Sequence, residues 1–296
     1  MHPDQLDVDR DTAAALVREQ FPQWGRWPVT PVTSHGTVNV LFRLGDELVL
    51  RFPLEPGDPD AKRQWLLREA GSARRLLGQV PVRTPEPVAL GEPGRGYPLP
   101  WMVYRWLPGT VAAEAQVADS SPFATDLAAF VTALRRMDVE GRRFSGSGRG
   151  GLLVSQDDYV AGCLAQSDGL IDTQGVARLW AELRRTGGAG VADAWTHGDL
   201  MPGNLLTAAG RLTAVLDVGG LAAADPALDL MPAWNLLTPA SRSAFRSALG
   251  PDDDEWDRGQ GWALTQAIGC LYYYRETNPV MSETARHTLQ ALLDAR

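Results

Sequence analysis

Apolar positions along the chain alternate in some stretches and recur every three to four residues in others, and the two rhythms are segregated. Short runs at residues 30–33, 39–44 and 47–52 hold β-branched and large apolar residues bounded by turn formers, with Gly45-Asp46 joining the last two. A helix over 12–21 precedes them, with Asp9 or Asp11 placed to cap it and Pro22, Gly25 and Pro28 to end it. A longer amphipathic helix spans 61–77 and sets Trp65, Leu66, Glu69, Ala73, Leu76 and Leu77 near one face. Pro81, Pro85 and Pro87 mark an extended stretch, followed by strands at 88–92 and 101–106. Leu107-Pro108-Gly109 is the natural break. Beyond it the period becomes helical at 122–137, 156–166, 172–185, 227–237, 239–249, 253–277 and 279–295. The Gly-, Ser- and Arg-rich stretch 138–151 predicts a mobile loop. The pattern predicts an α+β chain of two lobes. Residues 1–106 form a small antiparallel sheet with one long helix, and residues 107–296 form a larger, mainly helical part.

One segment carries chemistry. Residues 197–204 read His-Gly-Asp-Leu-Met-Pro-Gly-Asn, and two apolar runs, 205–207 and 212–216, flank the turn Ala208-Ala209-Gly210. Such a hairpin returns the chain to its start and presents Asp217 beside Asn204. Asp and Asn are common in turns because they bond their own backbone, so each alone means little. Together they match the needs of phosphoryl transfer, which are an acceptor hydroxyl held in line and Mg²⁺ held against phosphate oxygens. Asp199 is placed to accept the hydroxyl proton, and Asn204 and Asp217 supply hard oxygen ligands suited to Mg²⁺.

With Asp225-Pro226 and Asp229-Leu230 following, this segment resembles the catalytic loop of the aminoglycoside phosphotransferases, small-molecule kinases with a protein-kinase-like fold. The resemblance implies a γ-phosphoryl transfer from ATP or GTP to a small-molecule hydroxyl, with an aminoglycoside as the first acceptor. Another hydroxylated antibiotic (a macrolide or a peptide antibiotic), a metabolite, and a catalytically idle nucleotide-binding module are the alternatives. It places the phosphate-covering turn at Ser34, Gly36 and Thr37, although 34–39 lacks the usual glycine triplet. It places Arg51 where kinases carry a phosphate-clasping lysine, paired with Glu69, whose lone carboxylate on an apolar helix face needs a partner. Main-chain atoms near Arg105 and Leu107 would read the base edge, with Met102 and Tyr104 packing against it. His197 supports the loop, Asp225 starts a helix, and Asp229 bonds the catalytic-loop backbone. Val218-Gly219-Gly220 follows Asp217 in place of the kinase Phe-Gly.

Composition narrows the partners. The net charge of −8 argues against nucleic acid and permits a cationic acceptor. Asp252, Asp253, Asp254, Glu255, Asp257 and Glu276, with Trp234, Trp256, Trp262 and Tyr272 to Tyr274, are the candidates for its pocket. A helix start also favours acidic residues at 252–257, for the dipole alone. Ten tryptophans suit a bulky apolar acceptor equally well. The polar, acidic amino terminus is no signal peptide, no apolar run reaches membrane-spanning length, and Cys163 and Cys270 fit no metal or redox spacing. A cytoplasmic enzyme, monomeric or homodimeric, is the expectation.

Overall fold

The computed structural model describes residues 5–33, 38–188 and 190–295. The chain divides into two compact units, one of Met1–Leu77 with Arg83–Pro108 and one of Gly78–Val82 with Gly109–Arg296. The composition of elements is α+β, as the pattern predicts.

In the first unit, helix α1 (Arg10–Gln20) begins at Asp9, whose carboxylate accepts from Thr12 N–H. Strands β1 (Val29–Val32), β2 (Asn39–Leu44) and β3 (Leu48–Pro53) follow, then helix α2 (Pro59–Leu76), β4 (Pro87–Gly91) and β5 (Trp101–Arg105). They form an antiparallel sheet in the order β1-β2-β3-β5-β4. The period-2 alternation of β3 decides what each face carries. Leu48, Leu50 and Phe52 join Leu16, Phe42, Leu99 and Trp101 in one core. Val49 lies on the other face, in a second cluster with Leu66 and Ala70 of α2 and with Met102 and Tyr104. Arg51 shares the Val49 parity and so reaches α2. Asp58 caps that helix and Pro59 opens it. Its buried stripe is Leu66, Glu69, Ala70, Ala73 and Leu76; Trp65 and Leu77, expected on this face, are exposed at the stripe's margins.

The second unit opens with β6 (Thr110–Val111) and helices α3 (Ser121–Arg136), α4 (Asp157–Gln166) and α5 (Thr173–Leu183). Strand β7 (Ala194–Thr196) leads into the segment 197–204, and β8 (Leu205–Ala208) and β9 (Arg211–Val215) form the predicted hairpin. Strand β10 (Ala222–Ala224) then pairs with β7, Ala222 opposite Thr196. The expected helix over 227–237 is instead a 3-10 turn, Pro226–Leu230, and a short α6 (Pro232–Asn235), because Pro232 supplies no N–H to continue a helix. Helices α7 (Pro239–Leu249), α8 (Asp253–Tyr273) and α9 (Pro279–Leu293) complete it. Helix α8 is buried nearly all round: Trp256, Trp262, Leu264 and Ile268 lie in the core, and Gly259 admits Leu230 so closely that a Cβ there would sit 2.7 Å from it. Among the described residues, no helix is long and apolar enough to cross a membrane.

Candidate active site

The β7–β10 ribbon and the β8–β9 hairpin together hold the segment 197–204. His197 and Gly198 donate their backbone N–H groups to Asp229 Oδ2 and Oδ1, each at 2.8 Å. Asp229 is fully buried, and burial pushes its pKa above the ordinary carboxylate value against the pull of those donors. His197 is a strut. Its Nε2 donates to Leu216 O at 2.8 Å, and its Nδ1 accepts from Asp199 N–H at 3.2 Å. The imidazole thereby ties the start of the loop to the end of the hairpin, the supporting role expected of it.

Asp199 is half exposed and ringed by donors. Asn204 Nδ2 donates to Asp199 O at 3.0 Å and to Oδ2 at 3.3 Å, and Gln266 Nε2 of α8 donates to Oδ1 at 2.6 Å. Arg149 Nη2 donates to Gly198 O at 2.9 Å and stands 3.5 Å from Asp199 Oδ1. Farther along α8 and just past its end, Cys270 and Tyr274 lie near the same carboxylate. Burial, and then Asp199's charge, push the Cys270 thiol up to about 11, and burial likewise raises the Tyr274 phenol.

Leu216 N–H donates to Asn204 O at 2.7 Å, which closes the hairpin and brings the next residue, Asp217, back beside Asn204. Asp217 is exposed and left-handed, with φ 53° and ψ 50°, a conformation Asp tolerates better than most non-glycine residues. Engagement of Asn204 Nδ2 with Asp199 leaves its Oδ1 as the acceptor for a cation. Among the described residues no cluster of three or more His, Cys, Asp or Glu is placed to cage a metal. Two oxygen ligands fit Mg²⁺, which usually completes its shell with water and phosphate oxygens.

In the first unit, Arg51 Nη1 donates to Glu69 Oε1 in an ion pair with side-chain exposures of 17% and 5%. Asn39, its amide oxygen turned to the guanidinium, accepts from Arg51 Nε at 3.1 Å and Nη2 at 3.0 Å, and Trp65 lies 5.6 Å from the charge centre. Met102 and Tyr104 are buried against Leu66 and Ala70, not presented on an open surface. Arg105 N–H donates to Glu86 O and Trp106 N–H to Glu47 O. Leu107, partly buried, has no main-chain hydrogen bond among the described residues, so its N–H and C=O stand available. Ser34, Gly36 and Thr37 lie outside the described residues.

Much of the acidic run at the start of α8 is engaged within the protein, while Asp254, like Glu276 after the helix, is exposed. Asp252 caps the helix through Glu255 N–H, Asp253 pairs with Arg246, Glu255 with Arg135 at 2.5 Å, and Asp257 accepts from Gln260 Nε2. Trp234, Trp256 and Trp262 are core. Asp225 accepts from Arg258 Nε at 3.0 Å and Trp262 Nε1 at 3.1 Å, an anchor for α8. Arg149, Gln266 and Asn39 escape sequence reasoning, because each acts across a fold contact that no local motif announces.

The family model described as phosphotransferase enzyme family matches residues 29–262. No curated protein sequence matches the chain. Among solved structures, the GDP complex of wild-type aminoglycoside 2'-phosphotransferase-IIIa has a TM-score of 0.73 at 18% identity, covering 98% of this chain and 100% of that one. The GDP and kanamycin complex of APH(2")-IIia has a TM-score of 0.72 at 19% identity, covering 96% and 99%. The apoenzyme of macrolide 2'-phosphotransferase MphH from Brachybacterium faecium has a TM-score of 0.63 at 21% identity, covering 94% and 98%.

Proposed function

The chain belongs to the phosphotransferase enzyme family, and from that premise we propose that it moves the γ-phosphoryl of ATP or GTP to a hydroxyl of a small antibiotic, Asp199 serving as the base. The observation that carries the reading is the closed loop in which Asn204 holds Asp199 while Leu216 holds Asn204, so that base and cation ligands share one rigid turn. Asp199 takes the acceptor proton, and Asn204 and Asp217 hold Mg²⁺, which neutralises charge on the nucleotide phosphates when bound. Arg51, fixed by Glu69 and Asn39, binds phosphate oxygens, and the Leu107 main chain reads the base edge. Ser34, Gly36 and Thr37 cover the phosphates. Met102 and Tyr104 act from beneath, as packing that shapes the strand leading to Leu107.

An aminoglycoside is the first acceptor, since structures of this fold include kanamycin and gentamicin complexes. A macrolide is the second. Of the candidate carboxylates, Asp253 and Glu255 are matched to Arg246 and Arg135 and Asp252 to a helix start, which leaves the exposed Asp254 and Glu276 to meet a cationic acceptor. The enzyme works in the cytoplasm, where nucleoside triphosphate is available.

The test is a panel of aminoglycosides and macrolides incubated with purified protein, Mg²⁺ and either ATP or GTP, with phosphorylated product read by mass spectrometry. The expected result is a product with at least one acceptor. Asp199→Ala should lose about 10²–10⁴-fold in turnover while binding nucleotide nearly as well. Turnover above about a tenth of wild type in that variant would remove Asp199 from the mechanism.

A further inference from the structure

We propose that Arg149 is a catalytic residue whose guanidinium binds the phosphoryl group in transit; this rests on the phosphotransferase reading above. The segment that carries it is built to lie against the catalytic loop. Phe144 N–H donates to Asp193 Oδ2 at 2.9 Å, Gln156 Nε2 to Gly148 O at 3.1 Å, and Asp225 N–H to Gly150 O at 2.8 Å. Gly150 has φ +114°, and a Cβ there would stand 2.6 Å from the Ala224 Cβ, so its backbone lies against the Ala224 side chain where only glycine fits.

Arg149 Nη2 is spent on Gly198 O and the Asp199 carboxylate. Its Nη1 is buried and, among the described residues, has no hydrogen-bond acceptor. A buried charged donor left unpaired is costly and calls for an explanation. The residues between the base and Asn204 are Leu200, Met201, Pro202 and Gly203, none of them cationic. The phosphoryl in transit spreads negative charge over three equatorial oxygens, and a guanidinium offers parallel donors that match two of them. A strut for Gly198 O would need one neutral donor. The permanent charge of a guanidinium about a quarter exposed, 3.5 Å from the Asp199 carboxylate, points to an anionic oxygen arriving beside the base.

Asp199 takes the proton of the acceptor hydroxyl, and that oxygen forms its bond to the γ-phosphorus. The bond to the β,γ-bridging oxygen breaks, and its electron pair leaves on the nucleoside diphosphate. Arg149 keeps its protons throughout and follows the equatorial oxygens with its N–H groups.

Aluminium fluoride with a nucleoside diphosphate and Mg²⁺ mimics the phosphoryl in transit without any antibiotic, so calorimetry can read this contact directly. Wild type should bind ADP or GDP more tightly when aluminium fluoride is present. Arg149→Ala and Arg149→Gln should bind the diphosphate alone within about twofold of wild type but lose a fluoride-dependent gain of roughly 10²-fold or more, the scale of an arginine finger. Added guanidinium should restore part of the gain in Arg149→Ala only. Arg149→Gln keeps a donor for Gly198 O and should melt near wild type. A gain retained in Arg149→Gln, or a variant that loses folding and diphosphate binding together, would assign Arg149 to structure and overturn the proposal. A wild type that binds neither diphosphate overturns the phosphotransferase reading itself, and this proposal with it.

Discussion

At the level of single residues, Arg51 is held on three sides: by Glu69, by Asn39 and by the face of Trp65. Removing one partner of so buried a pair costs about 3–5 kcal/mol, because the other charge stays behind. Arg51→Ala should therefore destabilise the first unit and weaken nucleotide binding together. Arg51→Lys should fold but bind phosphate less well, since an ammonium cannot make two parallel contacts. A double-mutant cycle with Glu69→Gln, on melting free energy and on nucleotide affinity, checks this. Additivity within about 0.5 kcal/mol would dissolve the pair. The pairing was legible, because Glu69 stands alone on an apolar helix stripe and Arg51 has the strand parity to meet it. Asn39 was not. It stands opposite Pro53, two positions from the partner of Arg51, and only the β2–β3 register brings that diagonal within reach.

At the level of elements, the loop 197–204 is positioned from behind. Asp229 clamps His197 and Gly198, Leu230 follows it, and α8 lies on Leu230 at Gly259. Gly259→Ala should overpack that contact, destabilising by about 1–3 kcal/mol, and should loosen the grip of Asp229 on the loop. Thermal melts with turnover measured below the transition test it. A variant of unchanged stability would show that the 3-10 turn yields freely. The hairpin was readable from local signals, two apolar runs about an Ala-Ala-Gly turn. The β7–β10 ribbon was hidden, because Ala222-Ala223-Ala224 has helical propensity and gains its strand form only by pairing. Segment 138–151 read as mobile because it is rich in glycine. Its anchors, Asp193, Gly198 and Asp225, are remote in sequence.

For the whole molecule, the proposed protein ligands for the metal number two, and only Asp217 is charged. Mg²⁺ alone should shift the melting temperature little, and nucleotide with Mg²⁺ should stabilise by about 2.7 kcal/mol at a hundredfold excess over its dissociation constant. A large shift with Mg²⁺ alone in differential scanning calorimetry would reveal a preformed cage instead. The left-handed backbone at Asp217 bears on how this protein tolerates change. Glycine would occupy that torsion more easily, relieving strain on the order of 1 kcal/mol, and would delete the carboxylate. If Asp217 holds the metal as proposed, position 217 is a point where thermostability and activity are traded directly. A screen that selects only for heat resistance should drift toward glycine there, and its hardiest survivors should be inert.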